Sequence, residues 1–250
     1  MITLKSGPER DSMRKAGKIL GRLLKRIRSE VKPGVTTAEL DAYAEKFIRA
    51  EGAIPAFKGY SGFPATICAS VNEEVVHGIP GKRVLKDGDI VGIDVGAIVD
   101  GLYSDSARTF GVGKISDTKR RLIEAAEKSL EAGIAKAKAG NRISDISYAV
   151  QTCIEKYDFG IVRQYVGHGI GKALHEEPQV PNFGAPHAGP SIRAGMALAI
   201  EPMVNAGTHE VVLDKDGWTV KTLDGEPSAH VEHTVLITEK GTEVLTRDCD

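Results

Sequence analysis

Four carboxylates stand in, or at the edge of, stretches of this chain that are too apolar to face water. Asp94 lies inside IVGIDVGAIV, Glu201 inside MALAIEPMV and Glu232 inside AHVEHTVLI, while Asp105 opens the run SDSARTF. Strands of this kind sit in a core, where an unpaired carboxylate costs several kcal/mol. The fold therefore has to pair these groups, protonate them or give them a cation. Buried salt bridges are the plainer solution, with Arg108 at hand for Asp105 and Arg163 or Lys172 for another. Yet residues 89–99 and 196–204 contain no Lys or Arg. A divalent cation neutralises several carboxylates at once, and oxygen-rich ligation with one imidazole suits Mn, Fe, Co or Zn better than a thiolate-seeking ion.

The surrounding pattern is α+β and occurs twice. Ser6-Gly7-Pro8-Glu9 is a capping-box pattern with Pro in the first turn. Met13, Ala16, Leu20, Leu23, Leu24, Ile27 and Val31 then recur at helical spacing until Pro33-Gly34 stops them. A second helix is predicted from Thr36-Thr37-Ala38-Glu39 to about Ala50. Short β-branched runs follow between 65 and 113: ATICASV, DIVGIDVGAIV and SARTFGV. The order repeats with helices over about 117–138 and 144–157, then strand-like IVRQYV, MALAIEPMV, WTVKTL and HVEHTVLIT. Residues 32–48 lie over 138–154 at an offset of 106, matching Gly34 with Gly140, Glu39 with Asp145 and Leu40 with Ile146. Leu85-Lys86-Asp87-Gly88 lies over Ile192-Arg193-Ala194-Gly195 at an offset of 107, which carries Asp94 onto Glu201. Asp105 falls on Glu232 if a segment containing Trp218 is an insertion. The expectation is one catalytic domain over 1–250, with related halves at about 8–113 and 117–245.

Imidazole is available from seven histidines. His168, in VGHGIG at the end of a predicted strand, has small neighbours that let a ligand approach. His77 (HGIP) and His175 (LHEEP) also sit beside predicted turns. His187 and His209 read as loop residues, and His233, facing opposite to Glu232 along a strand, as structural. Cys68, Cys153 and Cys249 are odd in number and lack CxxC spacing, which disfavours a disulfide framework or a thiolate zinc site. With a net charge of −1, no apolar run long enough to span a bilayer and no signal-peptide core, the chain is expected in the cytoplasm, away from membranes and specific nucleic acid. The basic residues of the first helix read as a solvated face, with transient ribosome contact the alternative. HEEPQ at 175–179 fails as HExxH, and the chain has neither a P-loop nor a GxSxG elbow.

Asp94, Asp105, His168, Glu201 and Glu232, in that order, resemble the metallopeptidases of the pita-bread (creatinase/aminopeptidase) fold. The words SVNE, HGIP, GHGIG, EPMV and EHT are similar to those of type I methionine aminopeptidases, and the resemblance runs from about Ile2 to Leu245. The resemblance implies two pseudo-symmetric α/β halves around a dinuclear site of two divalent ions per chain, Co, Mn, Fe, Zn or Ni. Asp105 and Glu232 would bridge the ions, Asp94 would complete one site, and His168 with Glu201 the other. Metal-activated water would attack the methionyl carbonyl, with Glu201 taking its proton. His77 and His175 would contact the peptide and stabilise the tetrahedral intermediate.

By the same resemblance Tyr60, Phe63, Cys68, Leu174 and Trp218 line the methionine pocket, where aromatic faces and a soft sulfur suit a thioether. Leu174, Gly96 and Ser104 depart from the residues common in bacterial members. The implied substrate is the N-terminus of a nascent polypeptide with a small second residue, and the implied state is a monomer. The chain's own Met1-Ile2 start is then expected to keep its methionine. The early first helix leaves no expected zinc-finger extension or prolidase-type N-terminal domain. A prolidase-like specificity, a metal-free peptide-binding module and a metal-stabilised structural protein are the rival readings.

Overall fold

A computed structural model describes residues 2–247; Cys249 falls outside them. The first half runs α1 (Gly7–Ile27), α2 (Thr37–Ala50), β1 (Ile54–Pro55), β2 (Ile67–Val71), β3 (Glu74–Val76), β4 (Ile90–Val99) and β5 (Leu102–Gly111). The second runs α3 (Asp117–Lys136), α4 (Ile143–Ile154), β6 (Gly160–Ile161), β7 (Gly167–Gly169), β8 (Glu176–Val180), β9 (Ala197–Ile200) and β10 (Met203–Asn205). It continues through β11 (Val211–Leu213), β12 (Val220–Thr222), β13 (Ser228–His230), β14 (His233–Thr238) and β15 (Gly241–Val244).

α1 forms where the periodicity requires, with Met13, Leu20, Leu23 and Ile27 wholly buried. Glu9 closes its N-terminus by accepting from the Ser6 N–H at 2.7 Å. On its inner face Gly17 admits the C-terminal stretch, since a Cβ there would lie 2.5 Å from the Leu245 carbonyl oxygen. Cations of the outer face are partly engaged: Arg14 pairs with Glu243 and Arg22 with Glu51.

β4 organises the first half by pairing antiparallel with β1, β2 and β5. The second half is organised by the antiparallel sheet β15-β14-β9-β7-β8. Two three-stranded sheets, β13-β10-β6 and β11-β12-β3, complete the framework. One apolar core lies between α1, α2 and the β2/β4 sheet, and a second between α3, α4 and the strands of the second half. Local structure recurs at the sequence offsets. Gly34 and Gly140 both hold left-handed backbone, and their N–H groups donate to the carbonyls of Leu85 (2.9 Å) and Ile192 (3.1 Å). The isolated bridges Thr36–Val84 and Arg142–Ser191 are likewise equivalent.

The sheets differ from the sequence expectation in two ways. The predicted strand over 161–166 shrinks to Gly160–Ile161, after which the chain bends toward β7. The runs containing Glu201 and Glu232 are each interrupted at the acid: β9 ends at Ile200 and β10 begins at Met203, while β13 ends at His230 and β14 begins at His233. Pro202, which has no N–H to donate, occupies the first break. The helix predicted to Tyr157 ends at Ile154 and tightens into a 3₁₀ turn.

Candidate active site

In the β4–β5 ladder Asp94 pairs with Ala107 and Gly96 with Asp105. The two aspartates therefore project from the same face, one diagonal step apart. A Cβ on Gly96 would lie 2.8 Å from both Ala56 Cβ and Phe57 Cε1. The glycine, paired opposite Asp105, thus lets Phe57 pack against β4. Phe57 is absent from the sequence-derived pocket; Gly96, two residues beyond Asp94 in an apolar strand, is a signal that could have pointed to a side chain packed there.

The second half meets these aspartates through the outer edge of β5. The Glu232 N–H donates to the Ala107 carbonyl at 2.9 Å, and the Ala107 N–H returns a bond to the Glu232 carbonyl at 3.3 Å. Thr234 Oγ1 donates to the Asp105 carbonyl at 2.8 Å. The Thr109 hydroxyl donates to the His230 carbonyl at 2.8 Å. Asp105 and Glu232 are fixed to one another by backbone, although far apart in sequence.

His168 sits at the centre of β7. A Cβ on Gly167 or Gly169 would collide with the carbonyls of Ala199 and Glu177, so only glycines let β7 pass between β9 and β8. The His168 Nδ1–H donates to the Gly169 carbonyl at 2.9 Å, which leaves the Nε2 lone pair directed at the acids. Nε2 is 3.4 Å from Glu201 Oε1. One ligand atom each from Asp105, His168 and Glu232 can be chosen with all three within 4.8 Å of one another.

Burial raises all four carboxyl groups. Asp94 and Glu232 lie well above the usual carboxylate range, first through loss of water and then through neighbouring acids. Glu201 is raised by burial and by Asp105, and burial pushes Asp105 up to about 7. Burial also lowers His77 and His168 to about 4. Asp94 Oδ1 and Glu232 Oε1 are buried without a hydrogen-bond partner.

The basic side chains that might have paired with these acids lie elsewhere. Arg108 alternates to the opposite face of β5 and lines a separate cavity with Glu127 and Lys128. Arg163 lies over the Phe183 ring at 5.4 Å, and Lys172 pairs with Glu9 at 2.9 Å. Among the described residues, no Lys or Arg forms an ion pair with any of the four acids. Four buried carboxyls beside a ligand-oriented imidazole, two of them with orphaned oxygens, form a donor set that fits divalent cations.

These five groups form the floor of a cavity of about 140 Å³. Its wall brings together Phe57, Tyr60, Phe63, Cys68, Leu174 and Trp218. Phe63 and Trp218 meet edge to face at 5.1 Å, and burial, reinforced by Asp94, keeps the Cys68 thiol protonated. At the rim the Tyr60 hydroxyl is 2.8 Å from His175 Nδ1, and the His175 and His168 rings are 4.4 Å apart. His77 holds left-handed backbone (φ 60°), a strained state that a non-glycine residue keeps only where its surroundings impose it. Here Gly78 is pressed against β2, its absent Cβ only 2.5 Å from the Ala69 carbonyl.

An adjoining cavity of about 100 Å³ shares His77, Asp94, His175 and Glu201, and adds Val76, Tyr165, Met203 and His230. Tyr165 and His230 carry no role in the sequence reading. His233 turns away, its Nδ1 2.7 Å from Thr246 Oγ1, and His187 and His209 line neither cavity.

Similarity to known proteins follows the same residues. The model of metallopeptidase family M24 matches residues 11–239. Methionine aminopeptidase 1 of Bacillus subtilis is 54% identical over 247 residues, covering 99% of this chain and 100% of that protein. The crystal structure of methionine aminopeptidase from Thermotoga maritima superposes with a TM-score of 0.97 at 46% identity, covering 99% and 100% of the two chains. Prolidase from Pyrococcus furiosus shares the fold at a TM-score of 0.79 and 24% identity, with 99% of this chain matching 66% of that one. On these matches, this α+β chain of pita-bread fold belongs to metallopeptidase family M24 and, within it, to the methionine aminopeptidases.

Proposed function

We propose that this chain hydrolyses the peptide bond after an N-terminal methionine, releasing the initiator residue from nascent proteins and peptides. The observation that carries the reading is the convergence of four carboxyls without a Lys or Arg partner and one ligand-oriented imidazole on the floor of a pocket walled by apolar side chains. Asp94, Asp105, His168, Glu201 and Glu232 would hold the metal. Four carboxylates carry more charge than one divalent ion balances, which favours two. Bound there, divalent ions neutralise the acids and supply a water of lowered pKa.

The remaining work falls to the chain's own side chains. Phe57, Tyr60, Phe63, Cys68, Leu174 and Trp218 enclose the methionine side chain without charge. Glu201 accepts the proton of the attacking water and returns it to the departing amine. Tyr60 donates to His175 Nδ1, which leaves the Nε2–H of His175 to donate to the substrate carbonyl. His77, between the two cavities, holds the peptide as it passes from the pocket into the narrower space beyond the scissile bond. That narrower space, walled by Val76, Tyr165 and Met203, favours a small second residue. Every group comes from one chain, so the site is complete in a monomer.

The test uses metal-free protein reconstituted with Co, Mn, Zn, Ni or, anaerobically, Fe. Substrates are Met-Ala-Ser, Met-Lys-Ser, Leu-Ala-Ser and Ala-Pro-Ser, with His168→Ala alongside. Metal-dependent release of methionine from Met-Ala-Ser, lost in the variant, is expected. Cleavage of Ala-Pro-Ser instead would place the chain with prolidase-like specificities. Folded protein with no turnover under any metal would point to a peptide-binding module.

A further inference from the structure

Glu201 is straddled by two imidazoles, one on each carboxylate oxygen. His168 Nε2 stands 3.4 Å from Oε1, and His230 Nε2 stands 3.5 Å from Oε2. His168 has its other nitrogen committed to Gly169 and faces the acid cluster. His230 faces the other way, into the adjoining cavity with His77, Tyr165 and Met203. Its side chain is 4% exposed, and its Nε2 is buried with no hydrogen-bond partner. A buried ring nitrogen left unpaired is unfavourable, so a partner that it can reach is expected to engage it. The position is nonetheless held on both sides: the His230 N–H donates to Thr109 Oγ1 at 3.0 Å, and Met203 pairs opposite His230 in the β10–β13 ladder. These contacts fix the His230 backbone between the two halves, and its ring nitrogen stands within reach of Oε2.

We infer that His230 is a positioning residue for the reaction, its Nε2–H donating to Glu201 Oε2 when Glu201 is ionised. The inference rests on Glu201 being the proton acceptor. It separates the duties of the two oxygens: Oε1 faces His168 and the acids, while Oε2 is steered toward the cavity through which the amine product leaves. An approach of a few tenths of an ångström turns the 3.5 Å separation into a normal hydrogen bond. A donor at that oxygen restricts rotation of the carboxylate, so proton transfer begins from one orientation. The effect belongs to turnover rather than to substrate affinity.

His230→Leu removes the donor at similar bulk, and His230→Gln restores one. In metal-loaded enzyme acting on Met-Ala-Ser, His230→Leu should lower kcat about 10- to 100-fold with KM changed less than about threefold, the scale seen when a supporting hydrogen bond is lost. His230→Gln should recover kcat to within about fivefold of the parent. Calorimetric titration of the metal-free proteins should show metal affinity within about threefold of the parent in both variants. Equal loss in the two variants, or a kcat for His230→Leu within twofold of the parent, overturns the inference. A tenfold or greater weakening of metal binding in both also overturns it, because His230 would then be a ligand. If His230→Leu does not fold, His230→Phe takes its place in the comparison. If the parent releases no methionine, the reading of function fails first; an active parent with indifferent variants removes only the role of His230.

Discussion

The two halves deliver their carboxylates in different ways. In the first half both acids ride on an unbroken hairpin, β4 and β5, whose register runs without a slip from Ile90–Gly111 to Val99–Leu102. In the second half both acids sit in gaps. His233 pairs with Ile200 on one side of the gap and Met203 with His230 on the other, so the two chain runs stay neighbours across it while 201–202 and 231–232 leave the ladder. The Val231 N–H reaches only the Pro202 carbonyl, at 3.3 Å. A short aspartate can be presented from a regular pleat. The glutamates stand where one ladder passes from the five-stranded sheet to a three-stranded one, and they fill the opening between them. A strand break in an apolar run is therefore as informative as the acid it carries.

The largest expected effect tests whether the halves act as one site. Asp105→Asn on the hairpin and Glu232→Gln in the gap should each lower kcat/KM on Met-Ala-Ser by at least about 10³-fold, equivalent to ~4 kcal/mol, because each is locked to the other half, Asp105 by the Thr234 hydroxyl and Glu232 by backbone hydrogen bonds to Ala107. Steady-state kinetics with saturating metal checks this. A loss below tenfold in either variant would mean that one half suffices.

A second measurement concerns stability without metal. Asp105 in the metal-free protein is pushed up to about 7, from an ordinary value of 3.8, chiefly by burial. For an acid shifted upward, the folded state holds more protons than the unfolded one between those two values, so stability falls as pH rises through that window. His77 and His168, lowered by burial to about 4, contribute the opposite slope, so the Asp105 contribution is read as a difference: chelated parent should lose melting temperature relative to chelated Asp105→Asn from about pH 4 to pH 7. Asp94→Asn should raise the melting temperature of the chelated protein at pH 7, because the unfolded chain gains by ionising the raised Asp94 carboxyl and gains nothing from an amide. A parent-to-variant difference that stays flat across this window would argue that Asp105 is paired within the protein.

The smallest effect belongs to the gap itself. Pro202→Ala supplies the missing N–H and frees φ, so the run 197–205 can partly close its ladder and turn Glu201 from the cavity. A decrease in kcat of about three- to tenfold with little change in melting temperature is expected, measured by parallel kinetics and thermal denaturation. Unchanged kcat would show that the gap is held by the surrounding sheets and not by the proline.

Much of this was legible in the residues. The four long helices follow from apolar spacing and capping patterns, and Ser6, Glu9, Thr36 and Glu39 cap where the pattern requires. The acids in apolar runs announced a charged site before any fold was known. The offsets of 106 and 107 reappear as matched turns at Gly34 and Gly140. Short strands were read less well. The end of the 161–166 run and the two gaps depend on which neighbour supplies hydrogen bonds, and that neighbour is distant in sequence. Arg108 beside Asp105 looked like its partner, but strand alternation sends the two to opposite faces.

By itself, then, the sequence determined the helices, the paired order of elements, the ligand-type residues and the need to neutralise them, because these rest on local periodicity and on the cost of burying charge. Only the tertiary structure decided that Phe57 lies against Gly96, that Glu201 and Glu232 occupy opposed gaps, and that His230 aims at Glu201 Oε2. The first follows from β1 pairing with β4, and the other two from β5 docking against the segment around Glu232, bonds such as that between Thr234 and Asp105 spanning 129 residues of chain. No local pattern encodes a contact of that length; it exists only once both halves have packed.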